Sequence, residues 1–355
     1  MKTKKLSCGS AYTGKLPRGC IHCGKGAKMV LMVTGRCSER CWYCPLSQEK
    51  KGRNVTFANE RRVMNDEDII AEAKSIDAEG TGMTGGDPLI STLTPRYIAL
   101  LKSEFGEGHH IHLYTSTTEL DRIRIMEEEG LDEIRFHPPF DIWKNIENTE
   151  FLPLMLELRD YNMDVGLEVP SIPGMQDQLK HLIQELGPYI DFINLNELEF
   201  SSTNWKALTN RGLRQAGSGS SAVIGSGEAA APLLELGLDI PIHFCTSSFK
   251  DAVQLRNRIK RRCRNTAKKG DIITDEGLLI RGIILCDEPR KIVSLLKKEY
   301  AVPSKMVWYD DTKERVEICL EILEQIHHLL PYDCFGIEEY PTADRLEVER
   351  WPLER

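Results

Sequence analysis

The sequence predicts an α/β fold with a parallel sheet and crossover helices, and three observations support this prediction. Short apolar runs typical of buried strands recur through the middle of the chain. Amphipathic stretches separate them, and this alternation is typical of parallel β/α units. The 355 residues are 41% hydrophobic, which is enough to bury a full core and one smaller appended domain.

The predicted helices lie between six predicted strands. Asn65 can cap DEDIIAEAKSIDAE, with Gly80 closing it, and Thr94 and Pro95 take the cap and first-turn positions of the next helix. The later helices are LDRIRIMEEEG, NTEFLPLMLELRDY and MQDQLKHLIQELG. The strands are predicted at residues 29–34, 80–85, 110–116, 133–138, 164–170 and 191–196.

Three segments follow from where this alternation begins and ends. Residues 1–28 form a Cys-containing N-terminal extension, 29–240 form the β/α core, and 241–355 form a small α+β domain with a basic helix. The loop QAGSGSSAVIGSGEAA, residues 215–230, is rich in Gly and Ser. We expect it to be mobile and able to close over a substrate.

Three cysteines follow the first predicted strand in the run VTGRCSERCWYCPLS. Cys37, Cys41 and Cys44 are spaced C-x3-C-x2-C. Three thiolates on one short loop can hold a 4Fe-4S cluster and leave one iron open to a small ligand. A structural zinc site usually brings two Cys pairs, and no partner pair follows at the usual distance. The loop therefore predicts an iron-sulfur cluster rather than zinc.

This loop resembles the cluster loop of the radical S-adenosylmethionine (SAM) superfamily, in which SAM chelates the fourth iron and is cleaved reductively to a 5′-deoxyadenosyl radical. The resemblance implies a partial (β/α)6 TIM-like barrel and places Tyr43 against the SAM adenine. From Met29 to Leu89 the chain looks most like the uncharacterised group related to pyruvate formate-lyase activating enzyme. That group implies reduced ferredoxin or flavodoxin as the electron donor.

In barrels of this kind, chemistry gathers at the C-terminal ends of the strands. The second strand ends in MTGGDPL, which resembles the GGE motif of the superfamily. The resemblance implies that Gly85, Gly86 and Asp87 hold the amino group of SAM, although Asp stands where the family has Glu.

The next strand ends supply further candidates for SAM contacts. By the same resemblance, ribose hydroxyls and the SAM carboxylate are held by polar groups of the third and fourth strands. These are Thr115, Ser116, Arg135 and His137.

A carboxylate on an otherwise apolar strand needs a partner. Glu168 and Glu197 are therefore expected to face a ligand, together with Asn194 and Asn196. The alternative for Glu168 is a salt bridge to Arg135 inside the barrel.

A second Cys pair, Cys20 and Cys23 in RGCIHCGKG, lies ahead of the first strand. It can be half of a zinc knuckle with Cys8 and a fourth ligand, or part of an auxiliary iron-sulfur cluster with a distant Cys. Cys245, after the apolar run PIHF, is the best distant candidate. We predict a second metal site at Cys20, Cys23 and Cys245 and leave the metal open between zinc and iron-sulfur.

Between residues 250 and 270 the chain carries nine Lys or Arg and one acid, against a net charge of -8 overall. On a helix, Arg258, Arg261, Arg262 and Lys269 share a face that can meet a polyanion such as RNA. A solvated helix face is the alternative.

The functional prediction is a radical SAM enzyme that abstracts hydrogen from a substrate, with RNA modification as the first candidate. The alternatives are an activase that places a radical on a partner protein, a small-molecule enzyme, and a metal-binding scaffold without catalysis. The N-terminus has no apolar core region and no apolar run approaches the length of a bilayer span. We therefore expect a cytoplasmic protein that does not bind a membrane.

Overall fold

The computed structural model describes residues 1–354. Contacts within the chain divide it into two compact units. The first contains Met1–Lys74 and Ala78–Asn257, and the second contains Ser75–Asp77 and the chain from Arg258 onward.

Seven parallel strands form the centre of the first unit. In chain order the strands of this sheet are β1 Lys4–Lys5, β2 Ala11–Tyr12, β3 Lys28–Thr34, β4 Phe57–Ala58, β5 Arg61–Arg62, β6 Gly80–Gly85, β7 His110–Thr115, β8 Glu133–Phe136, β9 Asp164–Ser171, β10 Phe192–Glu197 and β11 Ile242–Cys245. Strands β3 and β6 to β11 are parallel and neighbours in chain order, with the β4–β5 hairpin beyond β3 and the antiparallel β2 beyond β11. This order is that of a partial TIM-like barrel.

The six predicted strands are all present, and β11 is a seventh. The sequence placed the domain boundary at residue 240, ahead of β11. In the structure β11 pairs in parallel with β10, from Ile193 opposite Ile242 to Asn196 opposite Cys245. This pairing keeps residues 241–257 in the first unit, so the division falls later than predicted.

The first unit also contains α-helices. They are α1 Arg18–Gly24, α2 Asp66–Ser75, α3 Thr94–Phe105, α4 Leu120–Glu128, α5 Phe151–Glu157, α6 Gln176–Leu186, α7 Trp205–Thr209, α8 Ser226–Leu234 and α9 Ser247–Phe249. The predicted cap of α2 is confirmed, because Asp68 N donates to Asn65 Oδ1 at 3.0 Å. Thr94 is instead the first residue of α3, and its hydroxyl donates to Pro88 O.

The interior of the barrel is polar near the start of its strands, and α1 packs against this region. Gly19 N donates to Glu133 Oε2 at 3.2 Å, and a Cβ on Gly19 would lie 2.3 Å from His112 Nδ1. Only glycine lets the helix come this close. Lys28 Nζ and His112 Nε2 are 2.8 Å apart in the same layer. The N-terminal extension therefore closes one end of the barrel.

The Gly- and Ser-rich loop contains regular structure, and its mobility stays a prediction. Bridges join Gln215 to Val223 and Glu199 to Ala222, so the loop begins as a small hairpin. Its second half forms the start of α8, where Ser226 exchanges two hydrogen bonds with Ser171. Residues 216–219 at the tip are exposed, as are Ile224 and Glu228.

The second unit is an antiparallel sheet with three helices. Its strands are β12 Ile272–Ile273, β13 Leu279–Leu285, β14 Val307–Asp310, β15 Arg315–Ile318, β16 Asp333–Glu339 and β17 Glu347–Pro352, and its helices are α10 Arg256–Thr266, α11 Pro289–Lys298 and α12 Leu320–Ile326. Ile284, Leu296, Val316 and Leu323 form part of its apolar core. Buried ion pairs join Arg281 and Arg315 to Glu317.

Candidate active site

A cavity of about 670 Å³ lies at the C-terminal ends of the parallel strands of the first unit. Most of the predicted cofactor-binding residues meet in its wall. These are Cys37, Tyr43, Cys41, Cys44, Gly85, Gly86, Thr115, Glu168 and Asn196. The predictions from separate strand ends therefore converge on one site, while Asp87 and Arg135 lie behind this wall.

Glycines bring the cysteine loop against the end of β6. A Cβ on Gly86 would lie 2.0 Å from Arg36 O, and a Cβ on Gly85 would lie 2.2 Å from Thr34 O. Gly86 N donates to Thr34 O at 2.7 Å, and Asp87 N donates to Arg36 O at 2.7 Å. Since these contacts leave no room for a side chain, the Gly-Gly pair fixes where the cysteine loop begins.

The raised pKa values of the Cys37 and Cys41 thiols in this loop fit metal-bound thiolates. Burial raises the pKa of the Cys37 thiol to about 11, and the nearby Asp87 and Cys41 add to this rise. Burial also raises the pKa of Cys41, with a contribution from Cys44. Thiols that are partly buried beside one another ionise readily only when a cation compensates them, as bound iron does. The donor set therefore fits a thiolate-bound iron-sulfur cluster.

Tyr43 is held in the wall by a hydrogen-bonded histidine. His137 Nδ1 donates to Glu168 O at 2.7 Å, which leaves Nε2 to accept from the Tyr43 hydroxyl at 2.9 Å. Asn204 Nδ2 donates to Tyr43 O at 2.9 Å. Burial lowers the pKa of His137, so the ring is neutral at pH 7. His137 therefore orients Tyr43 and borders the cavity.

Asp87 has a different environment from the one that the resemblance implied. Its side chain is 1% exposed and is absent from the cavity wall. Its carboxylate accepts hydrogen bonds from Leu89 N at 2.9 Å, Thr115 Oγ1 at 2.8 Å, Ser116 N at 2.9 Å and Thr117 Oγ1 at 2.9 Å. These bonds join the ends of β6 and β7. In this structure Asp87 positions the wall residues Thr115 and Ser116.

Arg135 and Glu168 form the interior salt bridge that was the alternative for Glu168. Arg135 Nη1 lies 2.7 Å from Glu168 Oε2, and Arg135 also pairs with Glu133. Burial favours the neutral form of Glu168, but Arg135 and the amide of Asn196 hold its pKa below the usual range. Arg135 is 1% exposed and does not reach the cavity, whereas Glu168 borders it as an anion.

Glu199 and Lys250 are among the residues of the cavity wall that sequence reasoning missed. They form an ion pair. Burial opposes the charge of Lys250, but Glu199 raises its pKa, so it remains a cation. Lys250 begins a π-helical segment, Lys250–Leu255, and such segments are frequent at functional sites. The one sequence feature that indicated a role for Lys250 was its place soon after β11. The sequence analysis counted it only as part of the basic run between residues 250 and 270.

Glu197, which was expected to face a ligand, lies beside this pair in the wall. Its Oε2 accepts from Ser247 N at 2.8 Å and from Ser247 Oγ at 2.9 Å, at the start of α9. The cavity thus has a thiol-rich end and an end with paired charges.

The predicted second metal site stays a prediction. Cys20 Sγ accepts from Arg135 Nη2 at 3.4 Å, and Cys245 Sγ accepts from Gln254 Nε2 at 3.5 Å. Burial raises the pKa of Cys20 to about 12 and that of Cys245 to about 11, and Cys23 contributes to the latter. Within residues 1–354 no three His, Cys, Asp or Glu side chains surround one metal position, and this holds for the cysteine loop as well.

Two residues of the predicted RNA-binding face hold the second unit together. Arg261 Nε donates to Ile76 O at 2.8 Å, and its Nη2 pairs with Asp77 at 3.1 Å. Arg262 is 5% exposed, donates to Ser75 Oγ at 2.9 Å and also donates to Pro341 O. Both guanidinium groups are therefore engaged within the fold.

Comparison with known proteins identifies the family. Residues 31–186 match the radical SAM superfamily, and residues 277–353 match a domain of unknown function (DUF8061). A protein of Methanocaldococcus jannaschii, assigned by name as a glycyl-radical enzyme activating enzyme, is 38% identical over 352 residues, which cover 96% of this chain and 93% of that protein. The chain belongs to the radical SAM superfamily. Within it, the whole-length similarity confirms the predicted group related to pyruvate formate-lyase activating enzyme.

Two further similarities are partial. GTP 3′,8-cyclase of Acidothermus cellulolyticus is 32% identical over 108 residues, 29% of each chain. The crystal structure of Streptococcus suis SuiB bound to S-adenosylmethionine has a TM-score of 0.43 and 10% identity, covering 62% of this chain and 50% of SuiB. Membership of the superfamily implies SAM and a 4Fe-4S cluster as cofactors. Among the described residues, no helix combines the length and the apolar character that crossing a bilayer requires.

Proposed function

We propose that this protein binds a 4Fe-4S cluster through Cys37, Cys41 and Cys44 and cleaves SAM reductively to start hydrogen abstraction from a substrate. The observation that carries the proposal is the cavity wall, where the three thiols of one loop meet the Gly85–Gly86 pair. Of the described residues that line this cavity, these three are the only cysteines. Three thiolates leave one iron for SAM.

When bound, a cluster of this kind supplies one electron to SAM and yields methionine and a 5′-deoxyadenosyl radical. The protein's own residues hold the reactants. Gly85 and Gly86 offer backbone without side chains beside the thiols, and Thr115 and Asn196 offer hydrogen-bonding groups to the ligand. The ring of Tyr43, fixed through His137, supplies an apolar face for adenine. This positioning is the protein's main contribution to the reaction.

For the substrate, we propose a glycine residue of a partner polypeptide. The support is the whole-length similarity to a protein named for activating glycyl-radical enzymes. The end of the cavity near Glu197, Glu199 and Lys250 offers both acceptors and a cation, which suit a peptide amide. RNA modification remains the second candidate, but its sequence support has weakened because Arg261 and Arg262 are engaged within the second unit.

The first experiment tests the cofactor chemistry. The protein is reconstituted anaerobically with iron and sulfide, iron is counted per chain, and dithionite and SAM are added before 5′-deoxyadenosine is measured. We expect about four irons per chain and 5′-deoxyadenosine. The Cys41→Ala variant should lose both, whereas the matched control Cys286→Ala, in the second unit, should keep both. About eight irons would support an auxiliary cluster, and zinc without 5′-deoxyadenosine would contradict the proposal.

A second experiment tests the substrate. Extract from cells grown on glycine deuterated at the α-carbon is added to the reconstituted enzyme with SAM and reductant, and deuterium in 5′-deoxyadenosine is measured by mass spectrometry. A glycine substrate in a protein predicts deuterium transfer that protease treatment of the extract abolishes and ribonuclease treatment leaves intact. Transfer that ribonuclease abolishes would favour the RNA candidate instead.

A further inference from the structure

The cysteine loop carries a net positive charge, although the chain as a whole is acidic. Residues 36–53 contain five basic and two acidic side chains, a net charge of +3 in a chain of net charge -8. The side chains of Arg36, Arg40, Lys51 and Arg53 are exposed. Cys37 is exposed as well. A cluster held by this loop would therefore lie close to a basic part of the protein surface.

Backbone contacts hold the basic residues beside the cysteines. Gly35 N donates to Arg53 O at 2.9 Å, and Gly52 N donates to Gly35 O at 2.7 Å. A Cβ on Gly35 would lie 1.7 Å from Lys50 O, so the turn at residues 50–53 packs directly on the start of the cysteine loop. On the other side, the Arg211 guanidinium lies 4.3 Å from the centre of the Trp42 ring, next to Cys41.

The charges of this surface are not neutralised within the molecule. In the described part of the chain, no ion pair joins Arg36, Arg40, Lys51 or Arg53 to an acid. By contrast, Arg261 in α10 has a carboxylate partner. Exposed cations without acidic partners produce a field that attracts an anionic partner and speeds its association.

We propose that this basic surface, formed by Arg36, Arg40, Lys51, Arg53 and Arg211, is the docking site of an acidic one-electron carrier protein. The inference rests on the proposed function. One electron passes from the reduced carrier to the cluster, so the carrier is oxidised and the cluster is reduced by one electron, and no atom is transferred. The exposure of Cys37 keeps the cluster near the carrier's redox group.

An RNA partner fits this surface less well than an acidic protein does. Single-stranded RNA is held by basic residues together with aromatic rings on which bases stack. Trp42 is the aromatic ring beside this surface, and Arg211 already covers one of its faces. Its edge also contacts Tyr43 and Phe140, with ring centres 5.1 Å and 6.3 Å away.

The test compares two sources of electrons in the same reconstituted holoenzyme. Arg53→Glu/Arg211→Glu reverses two exposed charges at residues that lie outside the run from Cys37 to Cys44 and do not line the cavity. With a reduced acidic flavodoxin at about 50 mM ionic strength, we expect 5′-deoxyadenosine to form about tenfold more slowly than in wild type or slower. When excess dithionite has fully reduced the cluster before SAM is added, no docking is needed and the rate should not change. At about 500 mM ionic strength the difference should disappear.

The matched control is Lys15→Glu/Lys180→Glu, which makes the same change in net charge at exposed positions outside the basic surface. An equal loss in this control, or an unchanged flavodoxin-driven rate in the first variant, would overturn the proposal. So would a variant that loses affinity for RNA but keeps its flavodoxin-driven rate. If wild type makes no 5′-deoxyadenosine even with dithionite, the proposed function fails. The docking proposal is still tested in that case, because calorimetric titration of flavodoxin into both variants shows whether the basic surface binds it.

Discussion

Asp87 gives the sharpest prediction, because its position in the structure and the role implied by the family differ. We predict that Asp87→Asn destabilises the first unit by about 2–4 kcal/mol. The carboxylate accepts from two backbone N–H groups, of Leu89 and Ser116, and from two hydroxyls, of Thr115 and Thr117. The two N–H groups donate to different oxygens of Asp87. The asparagine amide has only one oxygen, so its NH2 group would face one of these N–H groups and leave it without an acceptor.

The magnitude follows from the two losses. A buried N–H without an acceptor costs about 1–3 kcal/mol, and replacing hydrogen bonds to a charged group by neutral ones costs about 1 kcal/mol more. The hydroxyls lose little because they can rotate. The free energy of unfolding is measured in urea, with Asp177→Asn, on α6, as the control.

The Asp87→Glu variant separates the two roles of this carboxylate. If Asp87 joins β6 and β7, the longer side chain cannot fit a site that is 1% exposed, and stability should fall. If Asp87 instead holds the ammonium group of SAM, glutamate should preserve stability and SAM affinity. A change below about 1 kcal/mol in Asp87→Asn, together with a large loss of SAM affinity, would refute the structural role.

Three further predictions follow from buried charges and histidines. Arg135→Met should destabilise the protein by about 3–5 kcal/mol, because it leaves two buried carboxylates uncompensated; a urea unfolding curve equal to that of wild type would contradict this. Arg262→Met should lower the melting temperature, whereas exposed Arg264→Met should leave it unchanged, and an equal shift in both would show that the contacts of Arg262 contribute nothing. Burial lowers the pKa of His109 and of His243 to about 4, so below about pH 6.5 these histidines are protonated in the unfolded chain but not in the folded one. The free energy of unfolding should therefore fall between about pH 6.5 and 4, and its slope against pH should be smaller by one proton in His243→Gln. Urea unfolding at each pH measures this slope.

The strands were predictable because each buried parallel strand is a short apolar run between amphipathic helices. Their bounds differ from the prediction by no more than two residues at either end, as at β8, which ends at Phe136. Strand β11 was harder to assign to the core. The 44 residues between Glu197 and Ile242 contain a hairpin and two short helices, and this irregular stretch interrupts the alternation on which the prediction depended.

The candidate site was predictable where spacing or glycine carries the signal, as in the cysteine loop and Gly85–Gly86. It was not predictable where a side chain's direction depends on a distant partner. Arg135 follows a strand pattern like that of Thr115, yet it turns to Glu133 and Glu168 and away from the cavity. The place of Lys250 soon after β11 was too weak a signal, because only the pairing of β11 with β10 brings it beside Glu199.

The pairing of β2 with β11 has a consequence for how the chain folds. Ser10 and Thr246 are hydrogen-bonded across 236 positions of sequence. At roughly 5–20 residues per second, ribosomal synthesis separates the appearance of these two residues by about 10–50 s. Throughout that interval β2 can pair only with β1 and lacks β11, and α1 has no finished barrel to enter. Cys20 and Cys23 therefore meet the cell's reductants, metals and chaperones before the fold buries Cys20, and assembly of the N-terminal segment must be a late step of folding.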